Sequence, residues 1–309
     1  MNTTTLTRTV LLLFLPLLAA CGSDAAGRAR PTFDGQAALE LVRVQTDFGP
    51  RVPGTPAHRA TIDWMEGFLK ELGPVVQRQP FPAWDPHNRR SADAFNLIAG
   101  FYPEKRRRLM LCAHWDSRPV ADAEVPPSSE PIPGAVDGAS GTAVLLQLAR
   151  VLVAQEPAYG VDLVFFDAED LGESGDPEFK NWFQGSRNFA QVAKQTGYKP
   201  WFAVLVDLIG DRDAVFYPEQ FSVEYAPDVV DRVWDLAAKL KIPQFQRGRT
   251  IWLYDDHWIL NRDAGIPSID ISEGVDAYPH WHTRQDTFDK VGAASLAAVG
   301  TVLIALLYP

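Results

Sequence analysis

The stretch VDLVFFDAED, Val161 to Asp170, changes character at its seventh residue. Apart from Asp162, apolar side chains run through Phe166, and then Asp167, Glu169 and Asp170 bring three carboxylates within four positions. An apolar run of this length, bounded by acids, reads as a strand buried on both faces. Such a strand needs helices over it, and the neighbouring sequence supplies them. RLMLCA (108–113) is a second buried strand, joined to the first by the amphipathic helix GTAVLLQLARVLVA (141–154). Downstream, SRNFAQVAKQ (186–195), PDVVDRVWDLAAKL (227–240) and AASLAAVGTVLIALLY (293–308) read as helices. FAVLVDLI (202–209) and GIPSIDIS (265–272) read as strands. The alternation predicts a three-layer α/β sandwich: a mostly parallel central sheet with helices on both faces. In such sheets ligands bind beyond the carboxyl ends of the strands, where VDLVFF gives way to DAED.

Before this core, Asp34 is a candidate cap for a helix over Gly35–Asp47. FGPRVPGTPAH (48–58) is a turn segment, and ATIDWMEGFLKEL (60–72) is a helix closed by Gly73. VVQRQPF (75–81) and AFNLIAGFY (94–102) read as strands, and Lys105-Arg106-Arg107-Arg108 as a solvated turn. The last helix is too short and too interrupted by Ser295, Gly300 and Thr301 for a membrane span, so it is expected in the core.

The chain has 309 residues, 46% of them apolar, and a formal charge of −10. That acidity excludes binding to a nucleic-acid backbone. With no repeat or low-complexity linker, residues 34–309 are expected to form one domain. Residues 1–20, with Arg8 followed by VLLLFLPLLAA, read as a signal peptide. Leu18-Ala19-Ala20-Cys21 resembles the bacterial lipobox, and Gly22 is not the aspartate that retains lipoproteins in the inner membrane. The expected product is an exported lipoprotein facing the periplasm. It is expected to touch the membrane, the outer one in preference to the inner, only through a lipid on Cys21, with residues 21–33 as a flexible tether. Cys112 is then the second and last cysteine, read as a core residue.

Polar groups collect at the strand ends: His114, Trp115 and Asp116 after RLMLCA, Asp137 in GAVDGASG, Asp207, Asp255-Asp256-His257, Asp270, and His280 and His282 in YPHWHT. Carboxylates crowded at one sheet edge repel one another, and a divalent cation is the common compensation. Oxygen and imidazole ligands without cysteine suit a catalytic zinc. For any one aspartate, helix capping or pairing with Arg118, Arg187 or Arg262 is the simpler account; the whole set is harder to explain so. In Glu169-Asp170 one carboxylate can bind metal while its neighbour moves protons. Gly138-Ala139-Ser140-Gly141-Thr142 lacks the final glycine of a nucleophile elbow and the G-K-[ST] ending of a phosphate loop.

Taken in order, HWDSRP, GAVDGASGTAVLLQLAR, FFDAED, VDLIG, DDHW and YPHWHT resemble the glutaminyl cyclases, which share a fold with di-zinc aminopeptidases; FGPRVPGTPAH and Gly185-Ser186-Arg187 fit as well. The resemblance covers about residues 35–308. It implies one zinc per chain on Asp137, Asp170 and His282, proton transfer by Glu169, an acidic network of Asp207 and Asp256, and a pocket wall at Trp281. The substrates implied are peptide or protein N-termini. Separately, the enzyme is expected to be a monomer. The sequence departs from the family at three points. Asp170 stands where animal cyclases have glutamate. Asp270 stands where they have histidine and is expected to take over its role at the substrate. The tryptophan that follows their glutamate pair has no counterpart in LGESGDPEF, and Trp182 stands too far along the chain to be assigned to it.

The implied reaction turns an N-terminal glutamine into pyroglutamate with release of ammonia. The alternative is a zinc aminopeptidase, in which His114 and Asp207 complete a second metal site bridged by Asp137. Trp281 directly before the ligand, the doubled acid of DDHW and LIG after Asp207 favour the cyclase.

Overall fold

The computed structural model describes Met1 and residues 29–309. The expected signal peptide, Cys21 and most of the tether lie outside the described residues. From Arg30 onward the chain is held: Arg30 Nε donates to the Tyr308 carbonyl at 2.8 Å, and Phe33 packs on Gly300.

Helices α1 (Gly35–Asp47) and α2 (Pro56–Leu72) come first. Asp34 caps α1 by accepting from Ala37 N, and Gly73 closes α2 in the left-handed region at φ +89. Strands β1 (Val75–Asp85) and β2 (Arg90–Phe101) follow as a long antiparallel hairpin. Next come β3 (Arg108–His114), α3 (Ala139–Ala154), β4 (Gly160–Phe166), α4 (Gln184–Thr196) and β5 (Ala203–Val206). The short α5 (Gln220–Tyr225), α6 (Pro227–Lys239), α7 (Asp256–Ile259), β6 (Ser268–Ile271) and α8 (Ala293–Leu307) complete the chain.

The six strands lie in the order β1-β2-β4-β3-β5-β6. β4, β3, β5 and β6 are mutually parallel, and β2 joins β4 antiparallel, so the hairpin forms one edge. Alternation along each strand divides the core. Leu109, Leu111 and Ala113 of β3 face a large cluster with α1, α2, α3, α6 and α8. Met110 and Cys112 face a second cluster with Phe189, Ala193, Leu260 and Ile266. Cys112 is thus a core thiol on the second face, and α8 is buried along nearly its whole length. Among the described residues no helix is long and apolar enough to cross a membrane.

Two strands are shorter than expected. GIPSIDIS pairs only over Ser268–Ile271. FAVLVDLI ends its pairing at Val206, because Leu208 turns into the left-handed region at φ +48. That turn leaves Asp207 at the sheet edge.

Candidate active site

Six chain segments deliver the site: the carboxyl ends of β3, β4 and β5, the turns before α3 and α7, and the loop after β6 that carries His282. β3 ends in His114, whose ring packs so closely on Gly138 that an added Cβ would lie 2.6 Å from it. The β4 exit carries Glu169 and Asp170. It is held by Asp116, which accepts from Glu169 N and Asp170 N at 3.2 and 3.3 Å. Beneath it the buried Asp167 carboxylate accepts from Phe95 N and Ala168 N and contacts His58 Nε2 at 2.8 Å. Ala168 and His282 both take left-handed backbone at φ +53, a conformation worth about 1–3 kcal/mol of local strain that tends to mark functional turns.

The structure brings Asp137, Asp170 and His282 together, with one ligand atom from each within 4.8 Å of the others. His282 Nε2 lies 3.1 Å from Asp170 Oδ1 and 3.6 Å from Asp137 Oδ2. All three residues are buried, and Asp137 Oδ2 and Asp170 Oδ2 have no hydrogen-bond partner. Buried, unpartnered carboxylate oxygens facing an imidazole nitrogen are the donor set that a divalent zinc satisfies, so these residues fit that ion. A second group, His114, Asp137 and Asp207, meets the same distance criterion. There His114 Nε2 is 3.1 Å from Asp137 Oδ1 and 3.0 Å from Asp207 Oδ1.

Charge is distributed unevenly. Burial and the adjacent Asp170 hold Glu169 well above the usual carboxylate range. Asp170 itself is held below that range: burial opposes its charge, but His282 and the Arg118 guanidinium outweigh burial. Arg118 is fully buried; it reaches Asp170 Oδ1 at 3.4 Å and Asp122 at 2.6 Å, and lies 4.6 Å from the Trp182 ring centre. Burial works against charge on His114 too, but Asp207, Asp116 and Asp137 hold its pKa well above the ordinary value.

Beside these groups lies a cavity of about 410 Å³ lined by Asp137, Glu169, Asp170, Asp207 and His282 on its polar side and by Phe179, Trp182, Trp252, Tyr254 and Trp281 on its aromatic side. Trp281 stacks on His282 at 3.6 Å between ring centres. Trp182, unassigned from sequence, lies parallel to His282 at 6.0 Å. Its loop returns to the site through Phe183 N donating to Glu169 O, a closure between distant positions that no local pattern announces. His280 packs edge-on against Tyr278 and belongs to neither ligand group.

Of the doubled acid, Asp255 lines the cavity and Asp256 does not. Asp255 is the extended N-cap of α7, whereas Asp256 is its first helical residue and is fully buried. Asp270 does not line the cavity either; it sits inside β6 with both carboxyl oxygens unpartnered, and burial and Asp255 push its pKa well up. Of the arginines considered as structural partners, Arg118 does pair with Asp170. Arg187 instead binds the carbonyls of Trp182 and Phe179, and Arg262 pairs with Asp263.

Residues 96–307 match the family model described as Peptidase family M28. A glutaminyl-peptide cyclotransferase of Drosophila melanogaster is 31% identical over 270 residues, 80% of this chain and 73% of that protein. The mammalian relatives are matched over only about half their length. Among solved structures, a Bacteroides thetaiotaomicron glutaminyl cyclase bound to N-acetylhistamine is 37% identical with a TM-score of 0.83, covering 91% of this chain and 99% of that one. A Zn-dependent exopeptidase from Parabacteroides distasonis is 33% identical with a TM-score of 0.85, at the same coverage.

Proposed function

The chain belongs to peptidase family M28, and on that premise we propose that it is a zinc-dependent glutaminyl-peptide cyclotransferase, converting N-terminal glutamine of peptides and proteins to pyroglutamate and ammonia. The observation that carries the reading is a buried acid that is no member of the ligand trio, Glu169, which lines the aromatic-walled cavity together with that trio. Its relatives and neighbours named as cyclases support it.

Asp137, Asp170 and His282 would hold one zinc, which when bound supplies Lewis acidity toward the γ-carbonyl oxygen of the substrate. The protein's own residues supply the rest. Trp281 and Trp182 close the cavity around a flexible side chain and favour the folded form in which the α-amine meets the γ-carbon; positioning of this kind can contribute up to about 7–11 kcal/mol. As the new C–N bond forms, Glu169 takes a proton from the attacking nitrogen. It then gives that proton to the γ-nitrogen, which leaves as ammonia when the old C–N bond breaks. Asp207 and Asp255 also line the cavity and hold the proton path and the amine.

We propose one zinc, on the trio. His114, Asp137 and Asp207 are as closely grouped and favour the second reading, a di-zinc aminopeptidase, if they take up a second ion. We further propose a monomeric enzyme, exported and lipidated at Cys21, with its catalytic unit spanning residues 34–309. The test of the activity is incubation of a glutaminyl peptide with the zinc-loaded protein: cyclised peptide and free ammonia in equal amounts are expected, and an unaltered peptide overturns the reading.

A further inference from the structure

The cavity extends past what a glutamine side chain needs. At about 410 Å³ it falls in the range of about 300–1,000 Å³ that accommodates larger ligands. Its depth is graded: Asp137, Asp170 and His282 are nearly inaccessible, while Trp252 is 67% and Tyr254 42% exposed. An exposed tryptophan beside a cavity is informative in a way that an exposed small apolar residue is not. This one is held in place by the structure around it. Ile251 is fixed to the start of α5 by Gln220 N donating to its carbonyl and by its own N donating to Pro218 O. Phe221 meets Trp252 edge-on at 5.5 Å and Tyr254 at 4.8 Å, and Phe179 covers Tyr254 at 4.6 Å. Glu219 and His257, both fully buried and 2.8 Å apart, tie α5 to α7. No lysine or arginine lines the cavity among the described residues, whereas Asp176 and Asp255 do.

We infer that the Trp252–Leu253–Tyr254 rim is a specificity subsite for the residue that follows the N-terminal glutamine, selecting an aromatic or large aliphatic side chain there and disfavouring an acidic one. The inference rests on the cyclase reading for its geometry. With the terminal glutamine at the polar end, its carboxyl side leaves toward the mouth, and one residue of chain advances about 3.3–3.6 Å, which brings the next side chain to the rim. An aromatic side chain there gains edge-to-face contacts with fixed rings, while a carboxylate finds no cation among the described lining residues.

The test measures binding apart from turnover. Gln-Phe-amide, Gln-Gly-amide and Gln-Glu-amide are titrated calorimetrically into the zinc-loaded Glu169→Gln protein, with and without Trp252→Ala or Trp252→Phe, and ammonia release is followed in parallel with Glu169 intact. The expected order is Phe over Gly over Glu, with Phe about tenfold tighter than Gly. Trp252→Ala should cut that ratio to about twofold, and Trp252→Phe should retain most of it. Equal affinities for the Phe and Gly peptides, or a ratio indifferent to Trp252→Ala, would overturn the subsite even if ammonia is released normally. A preference that persists in a protein releasing no ammonia would support the subsite and overturn the cyclisation reading instead.

Discussion

Glu169 and Asp170 are neighbours in sequence with opposite electrostatic fates, and the difference comes from their surroundings. Arg118 and His282 stabilise the charge on Asp170, whereas Glu169 is left with burial and a neighbouring anion. Glu169→Gln is therefore expected to reduce kcat/KM for cyclisation by about 10²–10⁴ while elemental analysis still finds zinc; loss of zinc would make Glu169 a ligand. His282→Ala should lose both zinc and turnover, and an active protein would remove the imidazole from the trio. That acids would gather at these strand ends was legible in the sequence, because a buried apolar run ending in charges has few other uses. Which of two adjacent acids faces the cavity was not. Asp255 and Asp256 differ only in that one precedes the helix and the other begins it, so a capping argument was the one local signal that could have chosen Asp255.

At the scale of elements, the loop that carries Asp137 is clamped from two sides. The fully buried Arg51, from the turn segment FGPRVPGTPAH, donates to the carbonyls of Trp115, Pro133 and Gly134 at 2.8, 2.8 and 2.6 Å. Opposite, Asp286 accepts from Val136 N, Asp137 N and Tyr278 Oη at 2.8, 3.1 and 2.7 Å. Asp286→Asn loses part of this clamp. It is expected to weaken zinc binding by about 10–100-fold, with turnover largely restored at saturating zinc; unchanged zinc affinity would show that the loop needs no such support. The parallel strands and main helices could be read because fully buried strands are nearly unbroken apolar runs and their covering helices are amphipathic. The hairpin's place at the sheet edge, the short α5 and α7, and the path of the Trp182 loop depend on contacts between distant residues, which leave no periodic trace.

For the molecule as a whole, the acidic site makes stability depend on pH. Burial, Asp211 and Asp207 push Glu273 up to about 8. Its folded form thus keeps a proton that the unfolded chain releases near pH 4–5, so stability falls as pH rises between those values and then levels off. Glu273→Gln should match the native protein near pH 4 and melt about 2–6 °C higher at pH 8–9, by calorimetry across pH; equal melting at pH 8–9 would mean the carboxyl ionises freely. Cys21→Ala should move the protein from the membrane fraction to the soluble fraction, and unchanged fractionation would argue against the lipid. The fold serves two chemistries, and the choice between them is the central claim. The most direct measurement gives the zinc-loaded protein a glutaminyl peptide and a leucyl amide together, following pyroglutamyl peptide from the first and free leucine from the second. Pyroglutamyl peptide with little leucine, at about one zinc per chain, is the expected result; free leucine while the glutaminyl peptide stays uncyclised, with two tightly held zincs, would contradict it.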